Sequence, residues 1–253
     1  MGWHSKGGHD RTFGTNAKAW DWCSVNNAGF EYYQNAKKDG IGLPPHNPRI
    51  WVFRHQSNAS CAPMLRRVWH PIGYSSNSGW SNFFINITAG RLLTYTNTLL
   101  KFALPDIVIG TGGGYNTYDI YESVNHELSH ASHFNKVGSA FWAKYVNYII
   151  TYGKKYDHPY GDASCNNSGF CGVGEMWGYA MGYIRTYEKY QQKPKNGQSK
   201  WFQPNLLYDL MTEKILTKKQ IFDCLSSDVT SHALLKQKMI SRYPSKKDSL
   251  IPK

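Results

Sequence analysis

Charged residues are scarce in this chain of 253 residues, and acids are scarcer than bases. Only 18% of the residues are charged, whereas 41% are hydrophobic and 15% are aromatic. A disordered chain shows the opposite balance, because it lacks apolar surface to bury. No apolar run approaches the roughly 20 residues that a bilayer span requires. The composition therefore excludes a largely disordered chain and predicts a folded protein with no membrane span.

Cysteine is sparse as well, with five residues in the chain. Cys165 and Cys171 flank the polar loop NNSGF, and both a small disulfide and two free thiols fit this spacing. The spacing excludes a CxxC metal knuckle. The first ten residues, MGWHSKGGHD, lack the apolar core of a secretory signal. We expect an extracytoplasmic protein (secreted, periplasmic or surface-attached) whose signal segment lies outside this sequence.

The formal net charge of +12 raises the question of a nucleic-acid partner. The basic residues are dispersed, and the densest groups do not interleave with aromatics as in a single-strand binding groove. These groups are Lys193, Lys195 and Lys200, and the tail residues Lys246, Lys247 and Lys253. The glycine run at 110–114 also lacks the GxxxxGK[ST] pattern of a phosphate loop. We therefore predict no nucleic-acid partner.

Strand patterns come first in the chain and helix patterns come later. Alternating or continuous β-branched and aromatic residues predict strands at 49–56, 81–88 and 106–114. Apolar residues spaced by three and four predict helices at 89–103, 118–137, 141–154, 174–190 and, as short pieces, within 204–241. This order predicts an α+β fold rather than alternating strands and helices.

The chain has no internal repeat and no low-complexity linker, so we predict a single domain over 1–253. Residues 1–48 are rich in Gly, Asn, His and Trp, which predicts an irregular lead-in with one short helix near 16–38. Residues 49–137 are expected to form a sheet and the helix that follows it. Residues 138–253 are expected to form a helical subdomain.

The strongest functional signal is the pentapeptide HELSH at 126–130, inside a predicted helix. Residues four apart lie on one face of a helix, one turn apart, so His126 and His130 can bind the same metal ion. Glu127 then lies beside a water on that metal and can take its proton. A chain with 10 His gives an HExxH pattern by accident on the order of once in a hundred such sequences. The alternative is a solvated helix with two surface histidines.

Over roughly 106–190 the chain resembles the zincin metallopeptidases, thermolysin-like in general plan, with HExxH as the one sharp motif. The resemblance implies a twisted mixed sheet before the HExxH helix, one Zn²⁺ per chain and a mostly helical C-terminal half. It also implies that an edge strand binds extended substrate by β-augmentation. The matching segment lies just before the helix and consists of Ile107, Val108, Ile109 and Gly110.

A catalytic zinc ion takes three protein ligands and keeps one position open. We predict Glu175 as the third ligand, because it stands among apolar and small residues, where a carboxylate is costly unless paired. Gly178 and Gly182 follow on the same helical face and would allow close approach to the HExxH helix. The gluzincin branch of the zincins uses a Glu from a later helix in this way, although GEMWGY departs from its common Asn-Glu pair. The alternative is a buried Glu paired with Lys or Arg.

His133 is a rival third ligand, since the motif extends to HExxHxxH. It lies about 10.5 Å along the axis from His126, at the limit of a third imidazole's reach. The metzincin branch places its last His beyond a glycine that breaks the helix, and no such glycine follows His130. Otherwise we expect His133 to support a ligand or to be solvated. The remaining candidates for the third ligand are Asp157, His158 and Asp162.

Groups that would assist the ligands are less directly indicated. Glu122 lies one turn before His126 and is placed to accept its ring N–H, which would fix the tautomer. A capping or solvated acid fits this position equally well. Zincins commonly stabilise the oxyanion with a Tyr or His, and the candidates here are Tyr179, Tyr183 and His232. With 18 Tyr in the chain, a core position fits each tyrosine as well.

These residues together predict a zinc-dependent peptidase that acts on a peptide or protein substrate. A metal-activated water would attack the scissile carbonyl with Glu127 as general base. No terminus-binding motif stands out, which favours an endopeptidase. The alternative is a catalytically inactive zincin-like module that binds glycan or a cell-surface ligand through its aromatics. A nucleic-acid binder with structural zinc is disfavoured, because structural zinc usually takes four Cys or His ligands.

Overall fold

The structure, a computed structural model, describes residue 14 and residues 17–54, 60–72, 105–112, 114–156, 160–194 and 200–250. The strands are β1 (Ile50–Phe53) and β2 (Ile107–Gly110). The helices are α1 (Lys18–Asp39), α2 (Leu65–Ile72), α3 (Thr117–Val137), α4 (Ser139–Tyr156), α5 (Ser168–Tyr190), α6 (Pro204–Thr212), α7 (Lys218–Cys224), α8 (His232–Arg242) and α9 (Lys247–Leu250), with a 3-10 turn at Pro244–Lys246. The described residues are mostly helical with a small sheet, which is consistent with an α+β fold.

Helix α1 confirms the helix predicted near 16–38 within the lead-in of 1–48. It runs for 22 residues and ends at Gly40, whose φ of 69° is a left-handed conformation that glycine adopts without strain. Its buried side chains, spaced by three and four, include Val25, Ala28, Tyr32 and Ala36. This spacing turns one face of α1 towards the core.

The sheet pairs β1 and β2 in parallel, with Ile50 opposite Ile107. On the other side of β2, Val108 exchanges two backbone hydrogen bonds with Cys61, at 2.8 and 3.0 Å. All four residues of β2 are buried, as expected for a continuous apolar run in a parallel pair. The strand is thus bonded to β1 on one side and, at Val108, to Cys61 on the other. The prediction that Ile107–Gly110 binds extended substrate stays a prediction, with Val108 already bonded to Cys61 on that side.

Helix α3 lies at the centre of the described elements. It begins with a capping box, in which the Asn116 side chain accepts from the Asp119 backbone N–H and the Asp119 carboxylate accepts from the Asn116 N–H. Its most extensive interface is with α5, and α1 packs beside it as well. The Tyr32 hydroxyl lies 2.7 Å from the Ser132 Oγ and joins α1 to α3 inside the core. A helix packed by several neighbours holds its side chains in fixed positions.

The predicted helix at 118–137 is confirmed as α3, and the one at 141–154 as α4. Helix α5 begins at Ser168, six residues before the predicted start at 174. The predicted strand at 81–88 and helix at 89–103 lie outside the described residues. Within the part of the chain that the structure describes, no helix has the length and apolar character needed to cross a membrane.

Candidate metal centre

His126 and His130 lie one turn apart on the same face of α3, as the spacing predicts. Their Nε2 atoms are 2.8 Å apart, and both residues are buried, with 8% and 1% of their surface exposed. Glu127 is buried beside them, and the ligand atoms of the three residues all lie within 4.8 Å of one another. A buried His-Glu-His group of this size is able to hold a metal ion.

Glu175 reaches the same place from α5. Its Oε2 lies 3.5 Å from the Nε2 of His126, and its Oε1 lies 3.5 Å from the Nε2 of His130. The chain therefore brings together three nitrogen and oxygen donors from two helices that are distant in sequence. Glu127 stands slightly further out, with its Oε1 3.8 Å from the His126 Nε2.

These distances test whether the residues suit a small divalent metal ion. A zinc ion about 2.0–2.1 Å from each tetrahedral ligand implies ligand–ligand distances of about 3.3–3.4 Å. The observed separations of 2.8, 3.5 and 3.5 Å lie on either side of this value. In addition, the buried Oε2 atoms of Glu127 and Glu175 have no hydrogen-bond partner among the described residues. Both the spacing and the unsatisfied carboxylate oxygens fit a metal ion.

Two glycines allow α5 to come this close to α3. A Cβ built on Gly178 would lie 2.6 Å from the Cε1 of His130, and one on Gly182 would lie 3.2 Å from the backbone oxygen of Glu122. Real Cβ atoms almost never come within 3.0 Å of another heavy atom. Only a residue without a side chain therefore fits at 178. The Trp177 indole N–H donates to the Ser129 carbonyl at 3.2 Å and fixes the contact one residue away.

Burial sets the protonation states that a metal site needs. It lowers the pKa of His126 to about 4, assisted by the neighbouring His130, so the imidazole is neutral at pH 7 and its nitrogen lone pair is free to bind. Burial alone would raise the pKa of Glu175, but the His130 and His126 rings outweigh it and hold that pKa well below its usual range. Glu175 is therefore an anion next to two imidazole rings.

The pKa of Glu127 is shifted in the opposite direction from that of Glu175. Burial raises its pKa well above the ordinary value of 4.5, and the negative charge of Glu175 raises it further. A carboxylate with a raised pKa is a stronger base than one in water. Glu127 is thus the stronger base of the two acids. The ionised Glu175 suits metal binding, and Glu127 suits proton transfer.

Tyr145 on α4 fixes the position of Glu175, and nothing in the sequence singled it out. Its hydroxyl donates a hydrogen bond to the Oε1 of Glu175 inside the core. Burial keeps the Tyr145 pKa well above its usual value, so the hydroxyl retains its proton for this bond. The bond orients the carboxylate towards the two histidines.

We expect Tyr145→Phe to weaken metal binding about 10-fold to 100-fold, the usual cost of removing a group that orients a ligand. Tyr148→Phe is the matched control, because the Tyr148 hydroxyl donates to the backbone carbonyls of Tyr160 and Asp162 instead. Competition with a metal-binding dye measures both affinities. Equal affinities for Tyr145→Phe and wild type would contradict the assignment.

Of the assisting residues that the sequence suggested, Tyr179 lies next to His126. Its ring centroid is 4.2 Å from that of His126, and its hydroxyl is 2.8 Å from the Tyr160 hydroxyl. Tyr183, one turn further along α5, packs against Tyr179 and Tyr208. Glu122 lies against Gly182.

His133 and His232 are placed away from the ligand group. His133 is fully buried between Phe141 and Trp142, and neither ring nitrogen has a hydrogen-bond partner among the described residues. Burial lowers its pKa to about 3. His232 packs against the Trp201 ring, beside the first turns of α5.

Three further candidates for the third ligand gain no support from the structure. Asp157 and His158 lie outside the described residues, and Asp162 is exposed and accepts from the Ser164 backbone N–H at 2.7 Å. The close partners of Glu175 are histidines and a tyrosine, so it is not a buried Glu paired with Lys or Arg.

The cysteines take no part in the centre. All five lie in the described part of the chain and none forms a disulfide there, so Cys165 and Cys171 are not bridged.

Comparison of the chain with protein-family models, with curated proteins and with solved structures finds no match.

Proposed function

We propose that this protein is a zinc-dependent peptidase of the zincin type, with His126, His130 and Glu175 as metal ligands and Glu127 as general base. One observation carries the proposal. Two imidazoles and an ionised carboxylate converge in the core at the spacing of tetrahedral ligands, with a second, more basic carboxylate beside them. A structural zinc site would usually be closed by four Cys or His ligands.

The residues divide the work of peptide hydrolysis between them. A zinc ion, when bound, lowers the pKa of water and polarises a carbonyl. Glu127 accepts the proton that the attacking water loses, and its unpartnered Oε2 is the atom available for it. The same carboxyl group then delivers the proton to the departing amine, so that the leaving group departs neutral.

Tyr179 supports this chemistry from α5. Burial raises the pKa of Tyr179 well above its usual value, so its hydroxyl remains a hydrogen-bond donor at neutral pH. The Tyr160 hydroxyl holds it at 2.8 Å. We assign Tyr179 to stabilising negative charge on the carbonyl oxygen during attack.

Metal content of purified variants tests the ligand set. We expect about one zinc ion per wild-type chain after mild dialysis, and loss of that zinc in both His130→Ala and Glu175→Ala, because two ligands hold zinc far less tightly than three. Mass spectrometry of the metal measures this. The exposed carboxylate of Glu213 provides the control, and Glu213→Ala should retain zinc.

Two results would change the proposal in specific ways. Loss of zinc only in His130→Ala would remove Glu175 from the ligand set. A folded wild-type protein that holds no zinc and does not take it up would contradict the peptidase assignment.

The latter outcome would favour a binding module, for which the described residues offer a separate surface. A groove of about 840 Å³ lies between α1 and β1, and Trp22 and Phe30 line it with 58% and 65% of their surface exposed. Exposed aromatic rings suit stacking against a sugar face. Saturable binding of glycans, together with inactivity on peptide libraries, would support this second function.

A further inference from the structure

Lys200 lies within a cluster of aromatic rings at the border of the metal centre. Its Nζ is 3.3 Å from the ring centroid of Tyr179, 5.2 Å from that of Tyr160 and 5.6 Å from that of Phe202. Phe202 is fully buried, whereas Tyr160, Tyr179 and Lys200 are half-buried. The ammonium group is therefore packed against aromatic rings, in a residue that is only partly buried.

Tyr179 connects this ammonium to the metal ligands, because the same ring packs against His126. The electrostatic coupling agrees with this placement. Burial lowers the pKa of Lys200 and the negative charges of Glu175 and Glu122 offset part of this effect, while the positive charge of Lys200 adds to the lowering of the His126 pKa. Coulombic interactions weaken with distance, so this coupling agrees with the close packing of Lys200 on Tyr179.

The ammonium has no anionic partner in the part of the chain that the structure describes, since no carboxylate there lies within 4 Å of it. Burial lowers the Lys200 pKa to about 8, which still leaves most of the group charged at pH 7. A partly desolvated cation without a counter-ion is costly, and an incoming anion would relieve that cost. The surrounding rings satisfy the charge only in part.

We propose that Lys200 is a specificity-determining residue that binds a carboxylate of the peptide substrate next to the scissile bond. This inference rests on the proposed peptidase function and adds a substrate class to it. The carboxylate has two sources, the C-terminal carboxylate of a peptide and the side chain of Asp or Glu. The first source makes the protein a carboxypeptidase-type enzyme, and the second makes it an endopeptidase selective for acidic residues.

Binding to an inactive protein tests the inference without turnover. The starting protein is Glu127→Gln loaded with zinc, and the three probes are N-acetyl-tetra-alanine, its C-terminal amide, and N-acetyl-Ala-Ala-Glu-Ala amide. Lys200→Met is expected to weaken binding of a carboxylate-bearing probe about 10-fold to 100-fold, the usual worth of a charge-assisted hydrogen bond. It should leave the uncharged amide within about 2-fold of the starting protein. Isothermal titration calorimetry measures all three affinities.

Two further variants separate charge from packing. Lys200→Arg should keep most of the affinity, because it restores the cation. Lys144→Met is the matched control, since the Lys144 Nζ also lies over an aromatic ring, that of Phe170 at 5.1 Å, but on the exposed side of α4. It should leave all three affinities unchanged.

The pattern of affinity losses identifies which carboxylate Lys200 binds, or contradicts its role. A loss limited to the free acid identifies the C-terminal carboxylate, and a loss limited to the glutamyl probe identifies an acidic side chain. Equal losses for acid and amide, or no binding of any probe, would overturn the role of Lys200. If Lys200→Met cleaves the carboxylate-bearing peptides as well as wild type does, the carboxylate inference fails while the peptidase function stands. If the protein takes up no zinc but still binds the free acid through Lys200, the peptidase function fails while Lys200 remains a carboxylate-binding residue.

Discussion

Glu127→Gln is expected to lower kcat by about 100-fold to 10,000-fold, the range that a positioned general base contributes. Gln has nearly the same shape as Glu, so the helix and the neighbouring ligands keep their positions. It cannot accept a proton, however, and Glu127 is the carboxylate whose burial raises its pKa and whose Oε2 has no partner among the described residues. The variant should therefore bind zinc like wild type and turn over substrate far more slowly.

Hydrolysis of a fluorogenic peptide library and metal content, measured on the same preparation, test this expectation. Glu213→Gln is the control for the chemical change, because Glu213 is exposed on the surface. A Glu127→Gln variant with unchanged kcat would remove Glu127 from the proposed mechanism. Loss of zinc together with loss of activity would instead assign Glu127 to the ligand set.

The parts of the site that the sequence predicted are those that depend on local geometry. His126, Glu127 and His130 lie within five residues of one helix, and the spacing alone places both imidazoles on one face. Glu175 was predicted for a different reason, namely its position among apolar residues where a carboxylate needs a partner. Its proximity to both histidines is seen in the structure.

Residues brought in by tertiary packing gave no such signal. Tyr145 and Lys200 come from α4 and from the segment before α6, and no sequence pattern relates them to the histidines. One tyrosine among 18 does not distinguish a carboxylate-orienting role from a core position. Which aromatic residue meets which carboxylate is decided by how the helices pack.

The details of the elements that the sequence did not predict have physical causes too. The apolar run Ile107–Gly110 predicted a strand correctly, but pairing partners depend on distant segments, and Val108 proved to be bonded to Cys61 as well as flanked by β1. The start of α5 was placed six residues late because glycines usually disfavour helix interiors. Here Gly172 and Gly174 face bulky rings, so packing favours glycine inside the helix.

Gly178→Ala is expected to abolish zinc binding, with an affinity loss of at least about 100-fold, although it adds only one methyl group. The new Cβ would lie 2.6 Å from the Cε1 and 2.7 Å from the Nε2 of His130, and 3.2 Å from the Cε1 of His126. The ligand rings must move, or α5 must withdraw from α3 and take Glu175 with it. Overpacking of this kind costs about 1–3 kcal/mol, and the better helix propensity of Ala offsets only about 0.5–1 kcal/mol.

Gly29→Ala is the matched control, since it is the same change in a helix interior with room for it. A Cβ at position 29 would meet only the Cδ1 of Leu128 at 3.8 Å, an ordinary contact. We therefore expect opposite signs, with Gly29→Ala stabilising the fold by about 0.5–1 kcal/mol and keeping zinc. Thermal unfolding of the metal-free proteins measures stability apart from metal binding, which is followed separately by mass spectrometry. A Gly178→Ala variant that bound zinc as tightly as wild type would show that α5 does not confine the rings of His126 and His130. Glu175 would then be removed from the proposed set of zinc ligands.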